Sequence, residues 1–114
     1  MKFMLLIVGG DPKLPAPTEA DFGPMMAQFQ KIGADLGAEG KLVHSARLRP
    51  TEEAKTVKLG RDGKRSVIDG PFTETKEAVG GYYLIDCASQ AEAIEWAKKF
   101  PPFFHVEVQQ VWEM

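Results

Sequence analysis

The chain has 114 residues, 44% hydrophobic and 26% charged, which suits one folded domain and excludes a disordered or fibrous protein. Fourteen Lys and Arg stand against sixteen Asp and Glu, for a formal net charge of −2, so no basic excess draws the chain to nucleic acid. A lone cysteine, Cys87, rules out an internal disulfide and fits a reducing compartment.

Residues 2–8, KFMLLIV, are apolar at both parities. That is the pattern of a strand buried on both faces and central in its sheet. The run is too short to span a bilayer, and Asp11-Pro12 follow with no small-residue cleavage site. It therefore reads as a strand rather than a signal peptide, and the protein is expected in the cytoplasm with no membrane partner. Residues 11–17 form a proline-rich loop. Thr18 has the chemistry of a cap, but Gly23-Pro24 interrupts, so the main helix is predicted to start near Pro24. Met25, Met26, Phe29, Ile32 and Leu36 then recur at helical spacing, with Gly37 or Gly40 as the stop.

Residues 42–48 read as a strand closed by Arg49-Pro50, and residues 52–55 as a polar loop. Residues 56–59 and 65–69 flank Arg61-Asp62-Gly63-Lys64. Asp-Gly supplies the positive φ angles that a tight hairpin needs. Residues 82–87, aromatic and branched, predict another strand. Ser89 with Glu92 three places on has capping-box form and opens a short helix, with Ile94, Ala97 and Phe100 expected toward the core. Lys98 and Lys99 suit its last turn, Pro101-Pro102 end it, and residues 106–112 alternate as the final strand.

The order β, α, β, hairpin, β, α, β predicts an α+β sandwich of the split-βαβ, ferredoxin-like kind with an antiparallel sheet. Two helices cover one sheet face. The other face, mixed apolar and polar, is poorly suited to water, and symmetric pairing of two such faces is the common remedy. A homodimer with a cleft beside or between the sheets is expected.

Few residues carry chemistry. Asp69 ends a strand before Gly70-Pro71-Phe72. It is either a general base or ligand-holding carboxylate, desolvated by Phe72, Tyr82 and Tyr83, or a turn residue that bonds backbone N–H groups. His44 and His105 are the two imidazoles. His44 shares the strand parity of Leu42, Ala46 and Leu48, as a core or interface histidine would. His105 alternates with Glu107 and Gln109, as half of an acid/base pair or as a solvated strand face. His105 is the first choice of partner for Asp69 and His44 the second. Arg47 and Arg49 suit an anionic ligand or a surface strand end. Tyr82 and Tyr83 point to opposite faces, as ligand-orienting phenols or as packing residues. Glu74, Lys76 and Glu77 fit a short lid or a solvated segment. One cysteine and two distant histidines give no recognised zinc spacing, and no P-loop, dinucleotide or nucleophile-elbow motif is present. No metal and no cofactor is expected.

The stretch DGPFTETKEAVGGYYLID at 69–86 closely resembles the signature of the DGPF group within the YCII-related family. The initial KFMLLIVGG, LRP at 48–50 and VEVQQV at 106–111 support it, so the resemblance covers essentially the whole chain. It implies a dimeric ferredoxin-like fold in an α/β-barrel arrangement. Some YCII-like proteins are associated with dehydrochlorination of hydroxylated aromatics through a His-Asp pair. DGPF members are also linked to alternative sigma factors. In the enzyme-like branch the histidine lies on the first helix, where this chain has none, so only Asp69 has a counterpart. The resulting expectation is a small dimer with a small-molecule cleft near Asp69 and Phe72, acting as an acid/base enzyme of the lyase or dehydrochlorinase kind, with a non-catalytic binding or regulatory module linked to sigma-factor-dependent transcription as the alternative.

Overall fold

The computed structural model describes residues 1–71 and 77–113. Phe72, Glu74 and Lys76, singled out above, lie outside the described residues. Along the chain run β1 (Lys2–Gly9), α1 (Glu19–Ala38), β2 (Leu42–Arg47), a 3-10 turn (Thr51–Glu53), β3 (Lys55–Leu59), β4 (Arg65–Asp69), β5 (Ala78–Asp86), α2 (Gln90–Ala97) and β6 (His105–Gln110). β2, β5, β1 and β6 form one antiparallel sheet in that order, and β3 and β4 form a separate hairpin. With the hairpin set aside, the four sheet strands have the ferredoxin-like order, so the fold is the expected α+β class.

β1 lies in the middle of the sheet, as its unbroken apolar run requires. Phe3, Leu5 and Ile7 are buried and meet Ile32 and Leu36 of α1, Ile85 of β5, and Ala93 and Trp96 of α2 in one core. Each fully buried Leu or Phe there contributes roughly 1.5–3 kcal/mol. Met4, Leu6 and Val8, of the opposite parity, are only half-buried. Their cross-strand partners are Leu84, Tyr82 and Val79 on one side and Gln109, Glu107 and His105 on the other. Among the described residues no helix covers this second face.

Three sequence expectations need correction. α1 starts at Glu19, five residues before Pro24, which sits inside the helix. A proline there removes one i→i−4 bond and normally costs about 3 kcal/mol. The start is secured instead by Asp21, whose carboxylate accepts from the Thr18 N–H at 2.8 Å and the Thr18 hydroxyl at 2.9 Å. Glu19 and Asp21 also oppose the positive end of the helix dipole. At the far end Gly40, at φ +69°, lets the Lys41 N–H close onto the Leu36 carbonyl at 2.9 Å.

The second correction concerns α2. Ala93, Trp96 and Phe100 are buried, whereas Ile94 is 40% exposed and Ala97 half-buried. Trp96 takes the core place, with the Lys99 ammonium 4.1 Å from its ring centroid, while Glu92 is held by Lys41. The Ser89 hydroxyl accepts from the Glu92 N–H at 3.2 Å, so the predicted cap is present. The third is a register shift in β2 between Leu42 and His44. It sends Leu42 toward the core opposite Ile85 and His44 to the open face opposite Leu84, so the two do not share a face.

The hairpin stands apart. Every residue of β4 is exposed, and Val57, Leu59 and Val67 are more than half exposed. The Cα radius of gyration is 16.1 Å, against about 13 Å for a compact chain of this length. Among the described residues no helix is long and apolar enough to cross a membrane.

Candidate functional site

Two places gather chemistry, on opposite faces of the sheet. The first is a cleft of about 760 Å³ between α1 and the β2–β5 edge, within the size range of small-molecule sites. Met25, Phe29, Leu48, Tyr83 and Phe104 give it apolar walls. Arg47 and Arg49 supply its charge, and no carboxylate lines it among the described residues. Arg49 is held by both carboxylate oxygens of Glu53, at 3.1 Å each. Arg47 instead lies 5.4 Å from the Phe22 ring, with no ion-pair partner among the described residues. Tyr83 donates its hydroxyl to the Phe29 carbonyl at 2.9 Å, and burial pushes its phenol pKa up. That bond ties the sheet to α1 across the floor. Gly81 is needed here: a Cβ would meet the Ala46 carbonyl oxygen at 2.8 Å, so any side chain would push β2 away from β5.

The second place is the end of the sheet where β1 stops and β5 and β6 begin. Val8 pairs with His105 and Gly9 with Ala78, so Asp11, Glu77 and His105 come together although Asp11 and His105 are 94 residues apart. His105 Nε2 lies 2.7 Å from Asp11 Oδ2. A carboxylate only accepts, so the Nε2–H donates. The second oxygen, Oδ1, accepts from the Lys13 N–H at 2.9 Å. These bonds, that from His105 foremost, hold the Asp11 carboxyl below its ordinary range. The Asp11 side chain is 15% exposed and that of His105 52%. Donor atoms of Asp11, Glu77 and His105 all lie within 4.8 Å of one another.

The remaining sequence candidates are distributed differently from the pairings anticipated for them. The Asp69 carboxylate is exposed and ion-paired with Lys55 across the hairpin, while Gly70, at φ +84°, turns the chain. Within one chain neither histidine meets Asp69 among the described residues. His44 Nδ1 lies 2.8 Å from the Tyr82 hydroxyl, and their rings stack at 5.6 Å on the open face. Tyr82 and Tyr83 do point to opposite faces, and both border the cleft. Cys87 is buried, and burial raises its thiol pKa, which suits a small packing residue. Sequence reasoning missed Asp11. Its only signal was its place just past the end of a central strand, because the fold sets that end beside the start of the last strand.

The family model described as the YCII-related domain matches residues 1–114, and the chain belongs to that family. An uncharacterised protein of Rhizobium meliloti (strain 1021) is 52% identical over 59 residues, a stretch that is 52% of this chain and 47% of that protein. The matched region thus spans about half the length of this curated relative.

Proposed function

We propose that the protein is a homodimer that binds a small organic anion with an apolar body in the cleft between α1 and the β2–β5 edge. The cleft itself carries the reading: apolar on its walls, cationic at Arg47, and free of carboxylates among the described residues. A carboxylate or phenolate seated on Arg47 would keep its ring or chain against Phe29, Leu48 and Phe104. Pairing through the open sheet face would cover Met4, Leu6, Tyr82 and Leu84. It would also give the projecting hairpin, with its exposed Val57, Leu59 and Val67, a surface to pack on.

Titration with benzoate, followed through backbone amide resonances, tests the reading. Shifts confined to Arg47, Gly80, Gly81 and Tyr83 that disappear in Arg47→Ala support it. The absence of any shift at millimolar benzoate, or unchanged binding in Arg47→Ala, rejects it. A second reading, proton transfer in a lyase-type step, draws on the 2.7 Å His105–Asp11 contact, which would orient the imidazole as a base. On that reading His105→Gln abolishes turnover of a chlorinated hydroxyaromatic while benzoate binding survives. Turnover retained by His105→Gln would exclude it.

A further inference from the structure

We propose that Asp11, Glu77 and His105 form a site for one divalent first-row transition metal ion. The inference goes beyond the cleft and does not rest on it, since the three residues lie at the strand ends and the cleft on the helix-covered face. Three independent segments supply the donors: the loop after β1, the residue that opens onto β5, and the first residue of β6. Their donor atoms already lie within 4.8 Å of one another, and a metal with bonds of about 2.0–2.2 Å places neighbouring ligands within that reach. Among the described residues no other trio of His, Cys or carboxylate groups comes as close.

The donor set selects the ion. One imidazole nitrogen and two carboxylates, without thiolate, suit Zn²⁺, Fe²⁺ or Mn²⁺ over the soft Cu⁺ and over all-oxygen Ca²⁺. The sole cysteine is buried within the core cluster. Three protein ligands leave at least one position open, the pattern of sites that bind water or substrate on the metal rather than purely structural ones. Asp11 is already oriented as metal-binding carboxylates are. Its Oδ1 is fixed by the Lys13 N–H at 2.9 Å while Oδ2 faces His105. Metal entry needs Nε2 without its proton, so the imidazole carries its N–H on Nδ1 and the His105–Asp11 hydrogen bond gives way to two coordinate bonds. The proton-transfer reading needs Nδ1 free as the base while Nε2–H donates to Asp11, whereas in a loaded site Nδ1 holds the proton, which makes the metal reading and the proton-transfer reading rivals.

Titration of the metal-free full chain with Zn²⁺ by calorimetry, and with Co²⁺ by visible absorption, decides between them. One equivalent per chain is expected, with Co²⁺ bands of a nitrogen–oxygen site. His105→Gln and Glu77→Gln should each weaken binding by more than the roughly 10–100-fold typical of an outer-shell change. Arg47→Ala should bind metal as the parent does, while losing benzoate. A metal-free chain that takes up neither ion, or that binds equally well in His105→Gln and Glu77→Gln with their folds intact by circular dichroism, overturns the assignment. Benzoate binding retained in those same variants would show that the cleft stands even where the metal site fails.

Discussion

On β1, Phe3, Leu5 and Ile7 are buried beneath the helices, whereas Met4, Leu6 and Val8, one residue along, stay half exposed. The two sets have the same chemical character and lie on the same strand, yet only one has a layer to pack against. Polar residues differ in the same way. On the covered face Tyr83 is tied to the Phe29 carbonyl, while on the open face His44, Tyr82, Asp11 and His105 satisfy one another. The contrast teaches that the alternation of a strand specifies two apolar surfaces, and that the fold of one chain accounts for only the first.

The strongest way to break this contrast is Leu6→Glu. If the open face is a dimer interface, a charge at its centre dissociates the protein to monomers in sedimentation velocity while the circular dichroism spectrum is kept. A parent chain that already sediments as a monomer removes the interface. Leu36→Ala attacks the covered face instead. Leu36 is fully buried, and truncation there should destabilise the fold by about 2–5 kcal/mol in urea titration, with a cavity as the cause. A smaller loss follows from Ser89→Ala, which removes the acceptor for the Glu92 N–H and should cost about 0.5–2 kcal/mol by the same titration.

The gentlest probe is pH. Lys41 first, and the Ala88 N–H second, hold the Glu92 carboxyl below its ordinary value of 4.5. A carboxylate whose folded pKa is depressed contributes stability above its unfolded pKa and loses it as pH falls through the folded value. Melting temperature should therefore drop more steeply below pH 4.5 in the parent than in Glu92→Gln. Parallel acid limbs would show that the Lys41–Glu92 contact adds nothing to the attachment of α2.

Much of the fold was legible because its signals are local and periodic. The double-parity apolar run marked β1 as central, Asp62-Gly63 marked the hairpin turn, and Ser89 marked the start of α2. The errors came where tertiary contacts outweighed local pattern. Pro24 looked like a beginning, but the Asp21–Thr18 bonds and the packing of Met25, Ile32 and Leu36 carry the helix through it. Ile94 looked like core, but Trp96 fills that place with more surface. Leu42 and His44 parted faces because a one-residue irregularity in β2 is invisible in alternation. The site was harder. The sequence left His105 between half of an acid/base pair and a solvated strand face, because its carboxylate neighbour lies at the other end of the chain and only the strand order of the sheet brings Asp11 to it. The DGPF motif attracted attention to Asp69, which in one chain is spent on Lys55 and the turn.

The irregularity in β2 has a consequence for growth of the sheet. β2 is an outermost strand, and an outer strand with a regular, exposed row of peptide groups is a template for strand addition and aggregation. A bulge breaks the spacing of that row and twists it locally. Sheet extension past β2 is thereby discouraged, and the proposed homodimer would accordingly pair face against face rather than side by side.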